Sequence, residues 1–270
     1  LNQSFTHTTL GATGLKVHRL GLSSTYRPGR EAVRYAIESG INFFFCYGFD
    51  TNVTRVIRSA SSSERDKLVI ATGAYNLLVG HLNLRKTLEK RLRQLGTDYI
   101  DIFQFLGVTK PEHLTDHVLE ELSRFKEEGK IRFTGMSCHD RKFAGQLAAE
   151  GVIDTLMIRY NAAHRGAEQD IFPHLEAHDP GLISYTATRW GSLVRRQRGW
   201  PKEASIPTSQ QCYRFVLNNP HVHVCLNAPS NLDHLRQNLA GLEHGPLTSE
   251  ELELMHKYGD LVYQQKKWFM

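Results

Sequence analysis

Three short stretches gather side chains that can move protons or hold an anion. "SCHDR" (137–141) sets the Cys138 thiol, the His139 imidazole, the Asp140 carboxylate and the Arg141 guanidinium in one run. An imidazole titrates near neutral pH and can act as general acid or base with a carboxylate to orient it, and a thiol can act as nucleophile. Neighbours along a strand point to opposite faces, so Cys138 and His139 cannot both face one pocket while the strand stays regular. "RYNAAHRG" (159–166) supplies Arg159, a permanent cation suited to a ligand carboxylate or phosphate, or to a buried salt bridge with Glu168. Tyr160 and Asn161 follow it. "TRWG" (188–191) offers Arg189 and Trp190, able to stack on a ligand or to pack on a rim, ahead of a long basic loop over 191–207.

These residues need a frame that brings distant segments together, and the pattern of apolar residues supplies one. Leu84, Leu88, Leu92 and Leu95 recur at helical spacing and stop at Gly96. Leu114, Val118, Leu122 and Phe125 repeat the pattern up to Gly129, and "REAVRYAIESG" reads as a helix closed by Gly40. "TNVTRVIRSA" places Val53, Val56 and Ile57 on one face. Further helices are expected near 141–150, 167–178, 208–219 and 231–243, and a last one opens with Thr248 and Glu251 at capping-box spacing. Between them run short strands that are apolar on both faces: "NFFFCY", "KLVIATG", "YIDIFQFLGV", "IRFTGMSC", "TLMIRYN", "GLISYTA" and "VHVCLNA". Such runs suit a parallel sheet covered by helices. With a hairpin across "GATG" and a strand in "LKVHRLGLSS", they give eight strand–helix units. The expected fold is a (β/α)8 TIM barrel with an N-terminal β-hairpin, one domain over 1–270, with its site at the C-terminal strand ends.

That topology gathers a definite set at the barrel mouth. Ser24 and Tyr26 follow the first strand, Cys46 and Tyr47 the second, Tyr75 and Asn76 the third. His139, Arg159, Asn161, Tyr185 and Trp190 come from the fifth to seventh strand ends. Cys46, Cys138, His139 and His164 arise from separate segments without helix or knuckle spacing, so no metal is assigned.

Composition narrows the function classes. At 270 residues, 40% of them apolar, the chain can bury one large core. It has no run of 18 or more apolar residues and no charged-then-apolar leader, and Leu1 as first residue leaves room for residues before it. Four scattered cysteines suit a reducing cytoplasm. The net charge of +5 is spread out. Its densest part, "VRRQRGWPK" (194–202), has neither the basic face nor the motif of a nucleic-acid module, and no nucleic-acid or membrane partner is expected.

The order of several phrases resembles the aldo-keto reductase superfamily over almost the whole chain. They are "TLGATGLKVHRLGLSS", "ESGINFF", "LVIATG", "LRQLGTDYIDIFQ", "FKEEGKIRFTGMS", "YN" at 160–161, "ISYTA" and "LRQNLAGLEHGPLTSEEL". The resemblance implies an oxidoreductase that reduces carbonyls with NADP or NAD. A tyrosine would donate the proton, with aspartate and lysine tuning its acidity and histidine orienting the substrate. Carried over by position, the aspartate falls on Phe45, the lysine on Gly73, the histidine on Leu106, and the tyrosine beside Phe49 or Asp50. Tyr47 can substitute for the tyrosine through a loop shift.

The cofactor positions implied by the resemblance are altered too. Cys138 stands for the asparagine at the nicotinamide amide and Arg159 for the glutamine of the sixth strand, while Tyr185 keeps the stacking aromatic. In the last loop Ala228 and His234 replace phosphate-binding groups, Gln237 replaces a glutamate near adenine, and Asn238 is kept. Ser230 and Asn231 can still cradle phosphate at a helix start. The sequence therefore points to a divergent member with weakened nucleotide binding. Its rearranged catalytic set would come from Tyr47, His139, Arg159 and Tyr160, and its ligand pocket would be lined by Ser24, Tyr26, Cys46, Asn161 and Trp190. Two other readings stay open: a non-redox lyase or isomerase with His139 as base and Arg159 clamping an anionic small molecule, and an inactive barrel with a binding or regulatory role.

Overall fold

A computed structural model describes residues 5–46, 50–75 and 83–265. The chain opens with an antiparallel hairpin, β1 (His7–Thr9) on β2 (Lys16–His18), turned by a short 3-10 helix over Gly11–Thr13. Gly14 takes φ +71 there, a conformation that favours glycine. Eight strands then close a parallel barrel: β3 (Leu20–Ser23), β4 (Phe43–Phe45), β5 (Val69–Tyr75), β6 (Ile100–Val108), β7 (Ile131–Cys138), β8 (Thr155–Arg159), β9 (Gly181–Tyr185) and β10 (Val224–Asn227), which pairs back with β3. This is the expected (β/α)8 architecture with its hairpin.

Around the barrel lie α1 (Arg30–Glu38), α2 (Asn52–Arg58), α3 (Ser62–Arg65), α4 (Leu84–Leu95), α5 (Asp116–Glu127), α6 (Arg141–Glu150), α7 (Ala167–Asp170), α8 (Ser209–Asn218), α9 (Leu232–Leu242) and α10 (Ser249–Gln265). Leu84, Leu88, Leu92 and Leu95 are all buried on α4, which Gly96 ends at φ +65. Thr248 and Glu251 exchange both capping-box hydrogen bonds, at 3.0 and 3.2 Å, ahead of α10. The helix expected over 167–178 is broken. After α7 the chain turns at Ile171 and runs as a 3-10 segment, Phe172–His174, because Pro173 can neither donate a helical hydrogen bond nor accommodate the preceding turn.

Alternation along each strand builds two cores. Outward side chains such as Leu22, Phe44, Ile70 and Phe103 pack under the helices. Inward ones, including Phe43, Phe45, Ala71, Ile102, Leu106, Met157, Ile183 and Leu226, fill the barrel. Leu10, Leu15 and Val17 of the hairpin join that inner cluster and plug the N-terminal end. The C-terminal end of the barrel is the open one, and a cavity of about 400 Å³ lies there. Among the described residues, no helix is long and apolar enough to cross a membrane.

Candidate functional site

On one side of the mouth, from β4 to β6, the three described positions to which the resemblance assigns catalytic groups are apolar. Phe45, on the position to which the resemblance assigns an aspartate, is buried in the inner cluster. Gly73, on the lysine position, pairs with Gln104 of β6, and a Cβ added there would lie 2.1 Å from the Gln104 carbonyl oxygen. The strands have closed to a distance that only glycine permits. Leu106, on the histidine position, forms part of the cavity floor with Met157 and Leu226. None of these three positions carries a titratable group, although Tyr75, at the end of β5, does line the cavity.

The other side carries the polar groups. β7 delivers Ser137 and the residue after its end, His139, into the cavity, and β9 delivers Tyr185. Tyr185 Oη and His139 Nδ1 are 3.2 Å apart, within hydrogen-bond reach, with the rings edge to face. Burial, and then the nearby Arg159 cation, hold the imidazole below its ordinary range, so it is neutral at pH 7. Ser137 Oγ accepts from the Gly107 amide at 2.8 Å, which leaves the hydroxyl proton for other use.

The remaining expected site residues are placed elsewhere. Tyr47 lies outside the described residues, as do Phe49 and Asn76. Tyr160 does not face the mouth. It packs among Phe172 and Phe215 under the helices and donates to Glu168 at 2.6 Å, so Glu168 serves Tyr160 and not Arg159. Strand alternation explains this: Arg159 and Tyr160 are neighbours and take opposite faces. Arg159 is half-buried, close enough to feel Tyr185, Arg141 and Tyr263, but is not among the cavity-lining residues. Cys138 turns outward, its thiol on the Asp140 carbonyl at 3.2 Å, and burial pushes its pKa up to about 12, which disfavours the thiolate a nucleophile needs. Asp140 caps α6 through the Phe143 amide at 3.1 Å and does not orient His139. Cys46 and Ser24 are buried away from the cavity. Tyr26 and Trp190 do line it, with Tyr75 and Tyr213.

The turn after β9 is strained. Thr186, Arg189 and Trp190 have φ of +61, +49 and +51, and Gly191 follows at +80. Left-handed backbone costs an L-residue about 1–2 kcal/mol, so this turn has to be held. Asn161 holds one end: its Nδ2 donates to the Thr186 carbonyl at 3.0 Å, while its Oδ1 accepts from the Ala163 and His164 amides. His164 holds the other, its Nε2 accepting from buried Arg189 Nε at 3.0 Å. Burial, followed by the charges of Arg159, Arg189 and Arg141, lowers the His164 pKa to about 4, which keeps that nitrogen an acceptor. Asn161 is therefore a positioning residue rather than a cavity wall. Met157 and Tyr213, which the sequence reading passed over, belong to the cavity. Met157 could have been found by stepping two residues back from Arg159 along β8; nothing on α8 marks Tyr213.

The nicotinamide nucleotide implied by the resemblance meets a mixed reception. The Tyr185 ring lines the cavity, and Ala228 continues the wall toward the α9 start. Beyond that point the groups are already engaged. Asn231 Oδ1 caps α9 through the His234 amide and Ser230 Oγ contacts His234 Nδ1, both at 2.9 Å, and Asp233 adds a negative charge in the first turn. Asn238 is buried, donating to Asn227 at 3.0 Å and accepting from Ser209 at 2.9 Å, while Gln237 is exposed. Arg196 of the basic loop is spent on the loop's own carbonyls at Pro201 and Ala204. The Tyr185 ring suits the ring end of the nucleotide, while around the α9 start the polar side chains are engaged with one another.

Comparison with known proteins agrees with the architecture. Residues 10–203 match the model of the Aldo/keto reductase family. The chain is 21% identical over 293 residues to the uncharacterized oxidoreductase YqkF of Bacillus subtilis, covering 92% of this chain and 95% of that protein. It is 24% identical over 240 residues to the methylglyoxal reductase YeaE of Escherichia coli, covering 84% and 82%. Among solved structures, the holo form of the aldo-keto reductase AKR11C1 from Bacillus halodurans superposes with a TM-score of 0.77 at 21% identity, over 97% of this chain and 99% of that one. An aldo-keto reductase from Klebsiella pneumoniae in complex with NADPH gives 0.75 at 21% identity, over 97% and 98%. With the family model spanning well over half of its length, this chain belongs to the aldo/keto reductase family.

Proposed function

We propose that the chain is a divergent, small-molecule-binding member of the family in which proton transfer passes through the His139–Tyr185 pair. The observation that carries this reading is the hydrogen bond between Tyr185 Oη and His139 Nδ1 inside the cavity, opposite a wall where Phe45, Gly73 and Leu106 provide no titratable group. With Nδ1–H donating to Oη, the phenol keeps its own proton, which can pass to a ligand oxygen in the cavity that Tyr185 lines. The phenolate then recovers a proton from Nδ1 while Nε2 takes one from solvent, which leaves the Nε2–H tautomer; gain of a solvent proton at Nδ1 and its loss from Nε2 restore the starting pair. The neighbouring Arg159 cation favours negative charge developing on the phenol or the ligand oxygen.

The reaction class under this reading is acid–base chemistry at a carbonyl-type oxygen, within the oxidoreductase class that the relatives' names carry. The same pair would serve a non-redox isomerisation. NADPH and NADH are held more weakly than a site with free amide-reading and phosphate-binding groups would hold them. Titration of the purified chain with each nucleotide, followed by nucleotide fluorescence, tests this. The expected Kd is weaker than roughly 100 μM, near −5.5 kcal/mol. A Kd of a few micromolar would overturn the weakened binding. Turnover found in a carbonyl screen should fall about 100-fold in Tyr185→Phe; turnover unchanged in that variant would overturn the assignment of the pair.

A further inference from the structure

Four large apolar or aromatic side chains are well exposed among the described residues: Trp190 (53%), Tyr26 (52%), Tyr263 (46%) and Tyr75 (41%). Three of them, Trp190, Tyr26 and Tyr75, ring the same cavity. Exposed aromatic surface gathered at one concave site marks a place that a ligand covers. The aromatic rim is also built at a cost. Trp190 reaches it from a turn whose residues 186, 189 and 190 all have left-handed backbone, pinned by Asn161 and by the His164–Arg189 hydrogen bond. A relaxed turn would not need those clamps, and strain that surrounding contacts sustain at a cavity edge is a mark of function.

The lining has a second property. Among the described residues it contains no Asp, Glu, Lys or Arg, and its one titratable group near neutrality, His139, is uncharged at pH 7. The floor is Leu106, Met157 and Leu226. A charged ligand would be stripped of water here with no opposite charge in contact, which is costly. A flat π-system, by contrast, finds ring faces on the rim and an apolar floor below.

We infer that the cavity takes an uncharged, planar aromatic or conjugated molecule with one oxygen directed at the His139–Tyr185 pair, and that Trp190 is the residue that stacks on it. This deepens the proposed function and rests on its reading of the cavity as the ligand site. It also departs from the anionic ligand suggested by Arg159 in the sequence, since that guanidinium, though near enough to act on Tyr185 and His139, is not among the residues that line the cavity.

Isothermal titration calorimetry at pH 7 with 2-naphthol, 2-naphthoate and cyclohexanol tests the inference. The expected result is saturable binding of 2-naphthol, at least about tenfold weaker binding of the anionic 2-naphthoate, and no saturable binding of cyclohexanol. Trp190→Gly, which relieves the backbone and removes the ring, should weaken 2-naphthol about tenfold while melting no lower than wild type, and Trp190→Phe should restore most of the affinity. Tighter binding of 2-naphthoate than of 2-naphthol overturns the uncharged class. Equal affinity in Trp190→Gly overturns the stacking role, and absence of 2-naphthol binding at millimolar concentration overturns the inference entirely. Failure of the underlying reading is distinguishable, because it shows as micromolar NADPH affinity or as Tyr185-independent turnover, whatever 2-naphthol does.

Discussion

The two halves of the barrel mouth follow opposite rules. From β4 to β6 the positions that face inward are continuous with the core, with only Tyr75 among the described residues reaching the rim: Phe45 and Leu106 are packed, and Gly73 lets the strands approach until no other residue fits. From β7 to β9 they carry a half-buried imidazole, a phenol, a guanidinium and a turn held in left-handed backbone. The first half is what a barrel becomes when only packing acts on it. The second keeps features that cost stability, and costly features persist where something other than packing requires them. Fold and function thus part along a line through the mouth, and an overall resemblance is silent about which half works.

The sharpest way to break this comparison is to rebuild the apolar half. Gly73→Lys places a Cβ against the Gln104 carbonyl, so thermal or urea unfolding should show a loss of at least about 3 kcal/mol and no gain of carbonyl reduction. A stable, newly active variant would show that the wall is only superficially closed. On the polar half, Asn161→Ala frees the Thr186 carbonyl and leaves the buried Ala163 amide without its side-chain acceptor, while the His164 amide keeps the backbone carbonyl of residue 161 at 2.9 Å, at an expected cost of about 2 kcal/mol in urea denaturation. A change below about 0.5 kcal/mol would mean that the turn holds itself.

His164 gives a pH signature. Its folded pKa of about 4 lies below the ordinary 6.5, so the unfolded chain binds the extra proton first. Its contribution to stability is complete above pH 6.5 and is lost as pH falls from 6.5 toward 4, by about 1–2 kcal/mol after allowance for solvent screening. His164→Gln should flatten that part of the stability profile, and an unchanged slope would contradict the assignment. The smallest effect is expected for Tyr185→Phe, about 1 kcal/mol or less by denaturation, since the substitution keeps the ring and removes the hydroxyl that meets His139. A much larger loss would make Tyr185 a structural residue.

The fold was legible wherever local chemistry and global packing agree. The α4 leucines, the stop at Gly96 and the Thr248–Glu251 box are patterns that a helix needs irrespective of its surroundings. Strand alternation was legible too: the rule that parts Cys138 from His139 also parts Arg159 from Tyr160, and applying it to the second pair would have removed Tyr160 from the catalytic set. Other features have no sequence signal. Thr186, Arg189 and Trp190 are types that avoid left-handed backbone, so only the clamps from Asn161 and His164, some 25 residues away, put them there. Tyr213 enters the cavity from a helix whose pattern reads as ordinary core. The commitment of Asn238 to Asn227 and Ser209 is likewise a fact of three-dimensional packing.

The measurement closest to the central claim is a histidine-selective NMR pH titration, with the His139 signal assigned by its loss in His139→Gln. A neutral imidazole, half-buried against Tyr185 with Arg159 nearby, should titrate below 6.5 in the wild type and move upward in Arg159→Met as the repelling cation is removed. A His139 that titrates at or above 6.5, and is indifferent to Arg159→Met, would contradict the account: the polar half of the mouth would then be an exposed surface and not a tuned site.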